Sequence, residues 1–103
     1  MAQKTYSGKT LEVTNEGYLV NQADWSKEVA ADMAKEIGME LTPKHYEVLE
    51  YLRKENATGI PLTIRKVGKS GIVDIKGLYD LFPGGPLKFS SKLAGIPKPV
   101  SCV

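Results

Sequence analysis

The apolar residues of this chain change their spacing once, near residue 25, and the change separates a strand-like beginning from a helical remainder. In the first part they alternate with polar ones: Leu11-Glu12-Val13 is followed by Asn15-Glu16-Gly17 and then by Tyr18-Leu19-Val20. Alternation sends successive side chains to opposite faces of a strand, and a glycine between two such runs supplies the positive φ of a hairpin turn. Lys4-Thr5-Tyr6 ahead of Ser7-Gly8 adds a further strand. The pattern therefore predicts a small meander of about three strands.

From there the period lengthens. Trp25, Val29, Met33 and Ile37 recur every four residues, with Ala30 and Ala34 beside them. That stripe predicts a helix capped by Asp24, beginning at Trp25 and ended by Gly38. Thr42-Pro43 is the next start signal, a capping hydroxyl followed by proline at the first helical position. His45, Val48, Leu49 and Leu52 then follow the i, i+3, i+4, i+7 pattern until about Asn56. Pro61 opens a third, short helix through Ile64 and Val67, ended by Gly68 and Gly71. Asp74 caps a fourth, whose Ile75, Leu78, Tyr79 and Phe82 are expected in the core. Pro83-Gly84-Gly85-Pro86 stops it and starts a fifth, from residue 86 to about 94. Past Gly95, Pro97 and Pro99 forbid a continued helix and favour an extended chain. The class is α+β: a β-meander packed on an array of about five helices. One domain is expected over residues 1–95, with a flexible, extended C-terminal arm over 96–103.

Composition narrows the function. A length of 103 residues suits one domain, and 42% apolar residues supply enough hydrophobic material for one modest core. The net charge is only +2 and no block of like charge occurs, which argues against nucleic acid or a membrane surface as partner. No apolar run approaches the ~18 residues of a membrane span, and the first residues lack the apolar stretch of a signal peptide. A cytoplasmic monomer is expected. One cysteine and one histidine cannot form an internal disulfide or a zinc cluster, so neither metal nor cofactor is expected.

The sole thiol, Cys102, stands next to the C-terminus on the proline-stiffened arm. A terminal cysteine so placed can reach into another protein's cleft, and nearby cations increase the reactive thiolate; Lys88, Lys92 and Lys98 are the candidates. An unpaired cysteine on a frayed end is the plain alternative, although an exposed thiol without a use is an oxidation liability. His45 lies on an apolar helical face with no nucleophile or carboxylate at a telling spacing, which makes it structural. Asp24 with Glu28, and Glu47 with Glu50, fall on expected solvent faces and form no catalytic dyad. Gly68-Lys69-Ser70-Gly71 carries the letters of a phosphate loop, but Thr63 stands where its first glycine belongs. The third and fourth helices, with Arg65, Lys66, Lys69 and Lys76 around their turn, are compatible with a helix-turn-helix, though the apolar pattern there reads as ordinary core.

Several segments together resemble the DsrC/TusE family, which includes the gamma subunit of dissimilatory sulfite reductase and the TusE sulfur-relay proteins. They are Glu16-Gly17-Tyr18-Leu19, Asp24-Trp25, the helix from Leu41-Thr42 to Leu52-Arg53, and Leu78-Tyr79-Asp80. The most specific are Leu81-Phe82-Pro83-Gly84-Gly85-Pro86, Lys92-Leu93-Ala94-Gly95-Ile96-Pro97-Lys98-Pro99 and the final Cys102-Val103. The resemblance implies a few strands followed by a helical array. It also implies that Cys102 carries sulfur as a persulfide, taken from an upstream donor protein and presented to an acceptor, without an autonomous catalytic site. Members that work with dissimilatory sulfite reductase carry a second cysteine in the context Pro-x-Lys-x-x-Cys-Lys. Here that context reads Pro86-Leu87-Lys88-Phe89-Ser90-Ser91-Lys92, so Ser91 holds the place and only one sulfur handle remains. The alternatives are an accessory protein docking on dissimilatory sulfite reductase and a DNA-binding regulator using the helix-turn-helix-like segment.

Overall fold

The computed structural model describes residues 2–59 and 62–97. The expected arm from residue 98 onward, and Pro61 as a helix start, lie outside the described residues.

Strands β1 (Ala2–Tyr6) and β2 (Lys9–Val13) form an antiparallel hairpin in which Ala2 faces Val13 and Tyr6 faces Lys9. Ser7 and Gly8 make the two-residue turn, both at positive φ (53° and 75°), the turn whose twist suits a tight hairpin. Tyr6, Leu11 and Val13 bury their side chains, and the rest of the hairpin is exposed. The third expected strand shrinks to a single bridge between Leu19 and Val13. Two local causes end it there. Tyr18 and Leu19 are both buried, which breaks alternation, and Asn21 caps the next element by accepting from Ala23 N–H (3.0 Å).

That element is a 3-10 turn, η1 (Gln22–Asp24), and it displaces the expected start of the first helix. Trp25 is extended (φ −72°, ψ 144°), and Ser26, not Asp24, caps α1 (Lys27–Glu36) by accepting from Val29 N–H at 3.2 Å. Val29, Ala30, Met33 and Ala34 form its buried face as expected, and Gly38, at φ 74°, follows its end. Helix α2 (Pro43–Ala57) starts at Thr42-Pro43 and buries His45, Val48, Leu49 and Leu52. The short α3 (Ile64–Gly68) begins after its cap Thr63, whose hydroxyl accepts from Lys66 N–H at 3.0 Å. Helix α4 (Ile75–Leu81) is capped by Asp74, and α5 (Pro86–Leu93) opens on its proline.

One expected face is only half covered. Leu78 and Phe82 are fully buried, but Ile75 and Tyr79 are 43% and 45% exposed. A stripe at helical period identifies an apolar face; which part of it is covered depends on the neighbours. Here α4 has only seven residues and packs along its Leu78 edge.

The core is continuous from the hairpin through all five helices and ends at Ala94 and Ile96, both buried. Ile96, expected as the first residue of the arm, is only 1% exposed, and Pro97 after it is exposed.

Candidate functional site at the root of the C-terminal arm

Helix α5 carries three of the five residues singled out around the terminal thiol: Lys88, Ser91 and Lys92. Cys102 and Lys98 lie outside the described residues. Lys88 is exposed, with its ammonium 5.9 Å from the centre of the Phe89 ring, while its carbonyl accepts from the Tyr18 hydroxyl (3.3 Å). Lys92 runs the other way, across the second turn of the N-terminal region. A Cβ built on Gly17 would fall 2.7 Å from Lys92 Cε and 2.8 Å from Nζ, so the lysine lies in the space this glycine leaves. Gly17 is also at φ 90°, where a side chain is strained. The positive charge of Lys92 reaches Glu36, where it adds to the bonds from Tyr6 and Lys4 that keep this carboxylate ionised.

Ser91 is completely buried, and its hydroxyl has no hydrogen-bond partner among the described residues. Its neighbour Ser90, also buried, donates back to the Leu87 carbonyl at 3.2 Å. A buried hydroxyl without a partner loses its hydration and receives nothing in return, a penalty of about 1–3 kcal/mol.

The end of α5 is satisfied in full. The last carbonyls of a helix have no partner within it and must find one elsewhere. Gly95 N–H donates to Lys92 O (3.2 Å) and Ile96 N–H to Ser91 O (3.2 Å), the paired bonds of a Schellman ending, with Gly95 at φ 70°. Ala94 N–H closes onto Ser90 O at 2.9 Å. Two carbonyls are left, and side chains from distant parts of the chain take both. Trp25 Nε1 donates to Leu93 O (2.7 Å) and Arg53 Nη1 to Ala94 O (2.9 Å). The second guanidinium nitrogen, Nη2, donates to Gln22 O (3.1 Å), and the guanidinium stacks on the Trp25 ring, 4.5 Å from its centre. Burial disfavours the charged form of Arg53 and lowers its pKa, yet a guanidinium stays charged throughout the physiological range. Gly95 passes so close to the indole that a Cβ on it would lie 2.6 Å from Trp25 Cδ1 and 2.9 Å from its Cβ.

His45 has no free ring nitrogen. Its Nδ1 accepts from Thr42 N–H (3.0 Å), so Nε2 carries the proton and donates to Leu81 O at 2.8 Å. The ring also stands edge-on to Phe82, centroids 5.2 Å apart. It closes the start of α2 onto the end of α4 and is structural. Around the helix-turn-helix-like segment, Lys66 is 2.9 Å from Glu55, whose pKa is lowered first by that hydrogen bond, while Arg65, Lys69 and Lys76 are exposed. Among the described residues no group of His, Cys, Asp or Glu is arranged to hold a metal ion. No described helix is long and apolar enough to cross a membrane.

Trp25 and Arg53 were missed as site residues by sequence reasoning, which used the first as the start of a core stripe and the second only as part of a family motif. The signal was present as a tryptophan and an arginine beside apolar core positions, each carrying N–H groups that need a partner when buried.

The family model described as DsrC like protein matches residues 5–103. The chain belongs to the DsrC family. It is 36% identical, over 107 residues and the whole of both chains, to the sulfite reductase, dissimilatory-type subunit gamma of Nitratidesulfovibrio vulgaris. It is equally 36% identical to the sulfurtransferase TusE of Escherichia coli, over 106 residues covering 95% of this chain and 97% of that one. The solution structure of Allochromatium vinosum DsrC superposes with a TM-score of 0.81 at 38% identity, covering 98% of this chain and 97% of that one. These relatives support a sulfur-relay or DsrC-type role, with the α+β architecture of the family.

Proposed function

We propose that this chain is a stoichiometric sulfur carrier that holds a persulfide on Cys102 and passes the outer sulfur to a partner protein. The observation that supports it most directly is that a DsrC-family chain has one thiol in all, with a serine at position 91. Sulfur transfer by thiol exchange must then run through Cys102. In the loading step the Cys102 thiolate attacks the sulfane sulfur of a donor persulfide; the new S–S bond forms on Cys102, the donor's S–S bond breaks, and the donor leaves as a thiolate. In delivery an acceptor nucleophile attacks the outer sulfur and Cys102 is released as thiolate. Neither step needs an outside oxidant or reductant. Cationic side chains near the arm favour the thiolate, and the folded domain supplies the docking surface.

Incubation with inorganic polysulfide should add the mass of one sulfur atom to the intact protein, reversibly by a dithiol reductant, and Cys102→Ser should gain none. An equal gain in Cys102→Ser, or none in the wild type, overturns the reading. The likeness to a sulfite reductase gamma subunit favours a second role on the same arm, as an accessory protein of such an enzyme; stable co-purification with a dissimilatory sulfite reductase would establish it.

A further inference from the structure

The two side chains that complete the end of α5 come from parts of the chain far from it in sequence. Trp25 precedes α1 and Arg53 lies in α2, yet both direct N–H groups at successive carbonyls, Leu93 O and Ala94 O. Leu93 and Ala94 are fully buried, so their carbonyls need donors from the protein itself. Here the donors are a rigid indole and a guanidinium stacked 4.5 Å from its centre, with the second arm of the fork pinned to Gln22 O at 3.1 Å. Asn56 Nδ2 holds the Gln22 side chain in turn at 2.9 Å. Gly95 is pressed against the same indole, with no room for a Cβ. The last turn of α5 is thereby locked in rotation as well as in position. Beyond it, Ile96 is anchored in the core and Pro97 emerges.

From these contacts we infer that Trp25 and Arg53 are positioning residues of the sulfur relay: their clamp on Leu93 O and Ala94 O sets the direction in which the chain leaves the domain at Pro97. The inference rests on Cys102 being the carrier. Its leverage is geometric. Cys102 is separated from Pro97 by a few residues, each spanning at most ~3.5 Å, so the thiol lies within about 17 Å of the root. A swing of about 20° there displaces a fully extended arm's thiol by roughly 6 Å, and transfer chemistry loses on the order of a hundredfold for a misplacement of about 1 Å. Either donor can be removed alone. Trp25→Phe keeps the ring under the guanidinium and deletes the Nε1–H donor. Arg53→Lys keeps the charge and deletes the fork that joins Ala94 O to Gln22 O.

The single cysteine allows the test on the full chain. A nitroxide attached to Cys102 broadens the amide resonances of the surface that the arm visits. In the wild type the broadening should concentrate on one patch of the domain. In Trp25→Phe and in Arg53→Lys it should fall at least twofold on that patch and spread to other surfaces, with melting temperatures showing both variants folded. The polysulfide loading of the unlabelled variants should stay within about twofold of wild type, because it requires only the thiol. Unchanged maps in both folded variants, or a wild-type map with no preferred patch, overturn the clamp. Failure of the wild type to load overturns the carrier reading instead, and leaves the relaxation map as an independent measure of the arm's direction.

Discussion

Gly95 and Gly38 form a matched pair, because both follow a helix at nearly the same positive φ, 70° and 74°, yet only one is crowded. A Cβ at Gly38 meets nothing within 4 Å, whereas one at Gly95 falls 2.6–2.9 Å from three atoms of Trp25. Alanine in the left-handed region costs about 1–2 kcal/mol at either position. The loss of unfolded-chain freedom returns about 0.4–1 kcal/mol at both, so Gly38→Ala should destabilise by about 0–1.6 kcal/mol. At Gly95 overpacking adds about 1–3 kcal/mol, because the obstructing atoms lie at the base of an indole that cannot swing away. Displacing that indole also strains its bond to Leu93 O, whose loss removes about 0.5–1.5 kcal/mol. Gly95→Ala should therefore be the more destabilising by about 2–4 kcal/mol, which for a domain of this size is on the order of 10–20 °C in melting temperature.

Calorimetry and urea unfolding of the two variants at one pH measure the difference, and a double-mutant cycle with Trp25→Ala assigns its origin. In the Trp25→Ala background the penalty at Gly95 should fall towards that at Gly38. Equal destabilisation of the two single variants, within about 0.5 kcal/mol, would refute the close approach of Gly95 to Trp25.

Two further outcomes follow from polar groups near α5 and the hairpin. Ser91→Ala should stabilise the fold by about 1 kcal/mol, since it removes a buried hydroxyl that has no partner among the described residues and improves helix propensity; a loss of stability in thermal unfolding would show that the hydroxyl is bonded. Glu36 accepts from Tyr6 Oη (2.7 Å) and Lys4 Nζ (3.1 Å); partial burial opposes its ionisation, but those bonds outweigh it and hold its pKa below the ordinary carboxylate value. Its contribution is then fully present above about pH 4.3, the unfolded value, and is lost as the pH falls through the lower folded one. Being part-exposed, the pair is worth under about 1 kcal/mol. Glu36→Gln should lower the melting temperature slightly at neutral pH and flatten its fall below about pH 4.3, and parallel curves for variant and wild type would contradict this.

The order of elements was legible because each helix announces itself twice, by its period and by its ends. Thr42-Pro43, Asp74 and Pro86 mark starts that the structure keeps, and Gly38 marks an end. What could not be read depends on partners remote in sequence. Asp24 and Ser26 are equally good caps, and the choice falls to Ser26 because Trp25 is held extended, its indole bonded to Leu93 O. Ile96, alone between glycine and proline, looks like arm; the core contact that buries it comes from the fold of the whole chain. The exposure of Ile75 and Tyr79 likewise reflects how little of α4 its neighbours cover. Ser91 was identifiable through the family motif, and Lys88 and Lys92 by their charge near the terminal cysteine in the sequence, whereas the clamp of Trp25 and Arg53 was not. Its acceptors are backbone carbonyls, and no residue type records a carbonyl's need.

The contrast between the two ends of α5's last turns bears on how many sulfur handles the fold is built to hold. From Ser90 to Ala94 every carbonyl has a donor, while the Ser91 hydroxyl, in the same turn, has none among the described residues. Where the backbone is satisfied so thoroughly, a lone orphaned hydroxyl points to the side chain rather than to the packing. A thiol is nearly apolar and content without a hydrogen bond, so a buried position that offers Ser91 no partner among the described residues suits sulfur better than oxygen. The two-cysteine members implied by the resemblance would place sulfur at this position. Serine fills the space but does not meet its chemistry, and Ser91→Cys should accordingly fold at least as stably as the wild type. Position 91 is thus a buried site held by serine beside a helix end whose backbone is fully bonded. On the carrier role proposed above, a persulfide on Cys102 would meet no second thiol in this sequence, and the thiol that resolves it would have to come from a partner.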